Sequence, residues 1–243
     1  MDLGLRGLKA VVTGGSKGIG RAIVETLAVE GCAVEFCARN SDGVERVAAE
    51  FVKRGLSVRG TALDVRDASS VTSWLNQIAP FNIFIPNVSA LSDDWATTLT
   101  TDVTATVEVT QRAAVILAQS AHAAITFIGS KTASYAAPHS PPYGAMKAAM
   151  AHYMKSLAVK CLPHIRVNVV SPGDIVFTDG YWDRVSREDP ALFKAVVERN
   201  PMGRLGSPNE IARVVAFISS PAAQFVAGAN WYVDGGSVRH VQF

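Results

Sequence analysis

Short runs of apolar, often β-branched residues recur along the chain, and between them the apolar positions fall at helical spacing. LKAVVTG (8–14) predicts a first strand, and RAIVETLAVEG (21–31) a helix that closes on Gly31. AVEFCA (33–38) and DGVERVAAEFVKRG (42–55) predict a second strand and a helix ending at Gly55. SVRGTALDV (57–65) and DASSVTSWLNQIA (67–79) predict a third pair, with Asp67 as N-cap. Further strands fall at NIFIPNVS (82–89), HAAITFIGS (122–130), IRVNVVSPG (165–173) and NWYVDGG (230–236), with helical stretches between them. The strand runs lack apolar–polar alternation, as expected where both faces of a sheet are covered. The pattern predicts an α/β fold, a doubly wound parallel sheet of seven strands with helices on both faces, in a single domain over residues 1–243.

Composition narrows the function classes. With 23 basic and 21 acidic residues the formal net charge is +2, and no basic helix face is interleaved with aromatics, which argues against nucleic acid as a partner. The opening MDLGLRGLKAVVTGG has no long apolar core of a signal peptide, and no run approaches a membrane span. Cys32, Cys37 and Cys161 are odd in number and form no Cys-x-x-Cys pair, which fits reduced thiols in a cytoplasmic protein. The five histidines show no metal-ligand spacing, so no metal is expected.

TGGSKGIG (13–20) lies at the turn from first strand to first helix, where a doubly wound fold binds a dinucleotide. Gly14, Gly18 and Gly20 allow a tight turn and close approach of phosphate to backbone, with Ser16, Lys17 and Ile19 between them. The alternative is a turn tight only for packing. An NAD site commonly carries an acid at the end of the second strand. Here that place reads CARN, with Ala38 and Arg39, and Lys17 lies in the glycine turn. Two cations suit a ribose 2′-phosphate, so the expected cofactor is NADP(H) rather than NAD(H). Glu35 sits too early in the strand to replace the missing acid.

PYGAMK (142–147) sets Tyr143 and Lys147 one helical turn apart on one face. Alone, that spacing describes an exposed helix face as well as a proton-transfer pair. Together with TGGSKGIG, with Ser130 thirteen positions before Tyr143, and with SPGDI, NPMGRLGSPNEIA and YVDGG downstream, the chain resembles the short-chain dehydrogenase/reductase family over nearly its whole length. Some members it is similar to are 3-oxoacyl-thioester reductases.

The resemblance implies that Tyr143 is the general acid or base, that Ser130 hydrogen-bonds the same substrate oxygen, and that Lys147 holds the nicotinamide ribose. It also implies that Lys147, with the positive nicotinamide ring, lowers the phenol; a shift of about three units from a pKa near 10 would take ~4 kcal/mol. It places Asp64 and Val65 at the adenine, Asn87 after the fourth strand, and Pro172, Gly173, Ile175 and Thr178 along the carboxamide and phosphates. Residues 174–206 are expected to be a substrate-binding lid. Their Phe177, Tyr181, Trp182, Leu192, Phe193 and Met202 suggest a hydrophobic or aromatic carbonyl compound or alcohol as substrate, or equally a lid packed on the body.

Two departures stand out. PNVS replaces the family's Asn-Asn-Ala-Gly, and Asp102 takes the place of a catalytic asparagine that holds a water. An ionised Asp102 would bias Lys147 and shift the coupled titration of the site. The rival readings are a non-catalytic dinucleotide-binding sensor or scaffold and an NAD-linked alcohol dehydrogenase. A homotetramer is usual in the family, and SVRHVQF (237–243) is a candidate interface segment.

Overall fold

The computed structural model describes residues 1–241; the last two residues of SVRHVQF lie outside the described residues. Seven parallel strands pair in the order β3-β2-β1-β4-β5-β6-β7: β1 (Lys9–Thr13), β2 (Ala33–Ala38), β3 (Val58–Ala62), β4 (Ile83–Ile85), β5 (Ala123–Ile128), β6 (Ile165–Pro172) and β7 (Asn230–Val233). The order reverses between β1 and β4, and it is there that an open α/β sheet leaves a crevice beyond the carboxyl ends of its strands.

The helices are α1 (Gly18–Val29), α2 (Ser41–Lys53), α3 (Ala68–Ile78), α4 (Trp95–Thr98), α5 (Thr106–Leu117), α6 (Pro141–Cys161), α7 (Tyr181–Glu188), α8 (Pro190–Arg199) and α9 (Pro208–Ser219). Local chemistry explains their ends. Gly31 and Gly55 take φ of +93° and +78° just past α1 and α2, where a side chain would be strained. Asp67 caps α3 by accepting from the backbone N–H groups of Ser69 and Ser70. Ser207 and Glu210 form a capping box on α9.

Strand alternation divides the core between the two faces of the sheet. Ala10 and Val12 of β1 face α1, α2 and α9, packing with Ile23, Leu27, Phe51 and Val215. Val11 faces the other way, with Trp74, Leu75, Val109 and Met154 of α3, α5 and α6. Phe36 of β2, fully buried, sets the floor under the glycine turn: a Cβ on Gly15 would stand 2.6 Å from its own Cβ. Emptying that position by Phe36→Ala would cost about 3–5 kcal/mol and loosen the turn.

Candidate active site

The glycine turn is built by hydrogen bonds from two strands. Both Gly14 and Gly15 donate to the Cys37 carbonyl, at 2.7 and 3.1 Å. Asn87, at the end of β4, donates from its amide to the carbonyls of Thr13 and Gly14, at 3.1 and 3.2 Å. A Cβ on Gly20 would lie 2.1 Å from the Gly14 carbonyl oxygen, so nothing larger fits. Ser16 and Ile19 are half-buried in this turn. Lys17 stands at the N-cap of α1 with no side-chain cap, and no acid occupies the first turn. The terminal N–H groups and the positive end of the helix dipole are therefore open to an anion.

Lys17 and Arg39 are exposed and make no ion pair among the described residues. Asp64 is half-buried and ion-paired with Arg66 at 2.6 Å, which holds its carboxyl below the usual range. Val65 beside it is buried.

On the other side of the switch point, Ser130, Tyr143, Lys147 and Asp102 come together. Ser130 lies two residues past β5 and caps a 3₁₀ turn (Lys131–Ser134); its oxygen accepts from the Thr132 hydroxyl at 2.8 Å. Tyr143 enters from the first turn of α6, which starts on Pro141. Lys147, one turn on, is buried and donates to the Ile128 carbonyl at 3.0 Å. Its ammonium lies 4.8 Å from the Phe127 ring centroid and 5.6 Å from that of Tyr143. Asp102 sits in a π-helical turn (Leu99–Ala105) between α4 and α5, a distortion that recurs at functional sites. One carboxylate oxygen, Oδ2, accepts from the Ala90 N–H at 2.8 Å. The other, Oδ1, lies 3.8 Å from Lys147 Nζ, too far for a hydrogen bond, and has no hydrogen-bond partner among the described residues.

Electrostatics in this cluster oppose the expected lowering of the phenol. Burial pushes Tyr143 up to about 12, against a hydrogen bond with Ser130, and the negative charge of Asp102 adds to the rise. Burial pulls Lys147 down to about 8, and Asp102 opposes that fall. Within the protein's own groups, desolvation outweighs the hydrogen bond with Ser130 at the phenol and the charge of Asp102 at the ammonium.

Other positions divide. Pro172 ends β6, Gly173 packs so closely on Asp234 that a Cβ would stand 2.7 Å from its Cα, and Ile175 is buried. Thr178 is exposed and takes part in no side-chain hydrogen bond among the described residues. Its neighbour Phe177 meets the glycine turn instead: Cβ atoms on Gly18 and Gly180 would lie 2.7 and 2.9 Å from its ring. The sequence left Phe177 open between a substrate-facing lid residue and one that packs the lid on the body, and this contact is of the second kind. The sequence did not single out Lys131 and Asp174, a largely buried ion pair beside Ser130; Asp174 follows the Pro-Gly turn directly, the one local signal that pointed at it.

Residues 174–206 form α7, α8 and flanking loops, and the bridge between Ile175 and Gly206 draws the two ends of the segment together. Arg184, Arg187 and Arg204 pair with Glu188, Asp183 and Glu210 on the surface. No helix among the described residues is long and apolar enough to cross a membrane.

A glycine turn at the switch point and a serine–tyrosine–lysine cluster beside it define a dinucleotide-fold oxidoreductase. The family model described as enoyl-(acyl carrier protein) reductase matches residues 14–238. Isoepoxydon dehydrogenase of Penicillium expansum is 33% identical over 260 aligned residues, spanning 100% of this chain and 99% of the relative. The L-sorbose reductase of Gluconobacter frateurii, solved with NADPH and L-sorbose, superposes with a TM-score of 0.90 at 28% identity, covering 99% of this chain and 100% of that one. An NADPH-bound short-chain oxidoreductase of Pseudomonas aeruginosa, described as having an atypical catalytic center, gives 0.88 at 30% identity over 96% and 98%. The chain belongs to the short-chain dehydrogenase/reductase family.

Proposed function

We propose that the protein is an NADP(H)-dependent oxidoreductase that interconverts a carbonyl group and a secondary alcohol, with Tyr143 as general acid and base. One observation carries the reading: the Tyr143 phenol, the Ser130 hydroxyl and the Lys147 ammonium converge beside an uncapped helix N-terminus. The NADPH-bound relatives add support.

The residues present fit a dinucleotide. The open N-terminus of α1 and the side-chain-free cradle of Gly14, Gly18 and Gly20 suit a pyrophosphate. Lys17 and Arg39, without an ion pair among the described residues, suit a 2′-phosphate, and Arg39 offers a planar fork for it. Asp64 and Val65 would line the adenine side, Asn87 would brace the glycine turn under the cofactor, and Pro172, Gly173, Ile175 and Thr178 would lie along the carboxamide and phosphates. The bound nicotinamide supplies or accepts the hydride at the carbonyl carbon.

The chain's own residues handle the proton. In reduction the phenolic O–H bond of Tyr143 breaks and a new O–H bond forms on the carbonyl oxygen, leaving a phenolate. Ser130 donates to that oxygen as charge develops on it. Lys147 sits close enough to stabilise the phenolate and to orient the ribose hydroxyls. Asp102 keeps the ammonium charged in a buried setting that favours its neutral form.

The deciding experiment is Tyr143→Phe. NADPH binding, followed by nicotinamide fluorescence, should be kept while turnover falls by about 10²–10⁴-fold. Undiminished turnover would remove Tyr143 from the mechanism.

A further inference from the structure

Lys131 follows Ser130 directly, and its side chain is 7% exposed. It ion-pairs with Asp174, the first residue beyond the Pro172–Gly173 turn, and donates to Ser237 Oγ at 3.3 Å. Ser237 donates in turn to Asp234 at 3.1 Å. The pair thus ties the end of β5 to the base of the lid and to the turn after β7. Only one oxygen of Asp174 is used; the other takes no hydrogen bond from the described residues, and the side chain is 15% exposed. Asp174 also lines a cavity of about 210 Å³ with Asn200, Met202, Arg204, Tyr232 and Asp234. The pair stands next to the reacting groups, since Lys131 opens the 3₁₀ turn that Ser130 caps.

We propose that Lys131 and Asp174 form a specificity-determining wall that selects a compact, neutral carbonyl compound carrying a hydroxyl beside the carbonyl, in preference to a hydrocarbon ketone or a long acyl thioester. The inference rests on the oxidoreductase reading above.

A hydroxyl can donate to the open Asp174 oxygen and accept from the third N–H of Lys131. An apolar group placed there would strip the remaining water from Asp174 and return no hydrogen bond. A carboxylate attracted to Lys131 would face Asp174 and Asp234 together. Of the apolar side chains of the lid, Phe177 rests on the glycine turn, Val185 and Val196 are buried, Tyr181 and Leu192 are exposed, and Met202 alone among these lines the cavity.

The test compares 2-hydroxycyclohexanone with 2-methylcyclohexanone, matched in size, in NADPH-dependent reduction by the purified protein. The hydroxy ketone should have the higher kcat/KM by about ten- to a hundredfold, the range set by leaving a buried polar group unpaired. The double variant Lys131→Met, Asp174→Leu should lose most of that preference, chiefly through KM. Replacing both charges together avoids a lone buried ion. NADPH fluorescence titration and thermal unfolding report on folding independently. The single variant Asp174→Asn, which keeps the shape, should show an intermediate preference. Equal or better reduction of the methyl ketone overturns this inference and leaves the oxidoreductase reading standing. Reduction of neither ketone by a protein that binds NADPH overturns it as well. Failure to bind either dinucleotide overturns the underlying reading.

Discussion

Replacing Asp102 by Asn removes one negative charge and little else, because the amide oxygen can still accept from the Ala90 N–H now bonded at 2.8 Å. The charge lost stands 3.8 Å from Lys147 Nζ. At that separation and an effective dielectric near 20, the attraction is about 4 kcal/mol, which sets an upper bound of about three pKa units. The same charge raises Tyr143 and opposes the fall of Lys147, so its removal acts on both groups in one direction. The two titrate as a coupled pair, and both macroscopic pKa values of that pair should move down in Asp102→Asn. Alcohol oxidation needs the phenolate, so the rising limb of its pH–kcat/KM profile should shift to lower pH, by at least about one unit. Carbonyl reduction needs the protonated phenol, and its falling limb should shift the same way. The assay is a pair of pH profiles in the two directions for wild type and variant, with NADPH affinity as a control. Superimposable profiles would refute the electrostatic account and leave Asp102 as a support for the 90–102 contact alone.

Three further outcomes follow from the site. Arg39→Ala should weaken NADPH binding by about ten- to a hundredfold, the worth of one charge-assisted contact, and leave NADH binding unchanged; an equal loss for both dinucleotides would point to the fold rather than to a 2′-phosphate. Gly20→Ala puts a Cβ 2.1 Å from the Gly14 carbonyl oxygen, so nicotinamide fluorescence should report lost binding of both dinucleotides; retained affinity would show that the turn yields. Cys32 and Cys37 are buried thiols pushed up to about 12, whereas Cys161 is half-exposed and nearer ordinary reactivity; alkylation at pH 8 followed by peptide mass mapping should label Cys161 first, and early labelling of Cys37 would mean that the glycine turn opens.

The strands and their helices were legible because each is written locally. Apolar runs of strand length, glycines at Gly31 and Gly55 and a cap at Asp67 carry their own conformational reasons, and all appear where the pattern put them. The short β4 has a local cause too, since Pro86 follows it and has no N–H for a ladder. The π turn around Asp102 was not legible. One residue inserted into a helix leaves the spacing of the buried Thr101, Ala105 and Val109 nearly intact, so periodicity passes over it. The contact of Phe177 with Gly18 was not legible, because it depends on the lid base returning over the first turn, a meeting of residues 159 positions apart.

Charge was the least legible feature. A lysine or aspartate in a sequence reads as solvated surface, because burying either alone costs several kcal/mol. Lys131, Asp174, Lys147 and Asp102 escape that rule only in pairs, and the partners lie 43 and 45 positions apart. No local pattern marks such a pair, since each member is explicable only by the other. Lys147 and Asp102 became visible through a resemblance that already knew their places. Lys131 and Asp174 had no such guide. Both pairs flank the cluster at which Ser130 and Tyr143 meet, one behind the phenol and one at the base of the lid. A site so arranged holds two fixed dipoles against one carbonyl oxygen in low dielectric, where each weighs more than it would at the surface. In the mechanism proposed above, the pair behind the phenol sets when the proton moves, and in the inference drawn from Lys131 and Asp174 the pair beside the serine sets which molecule receives it.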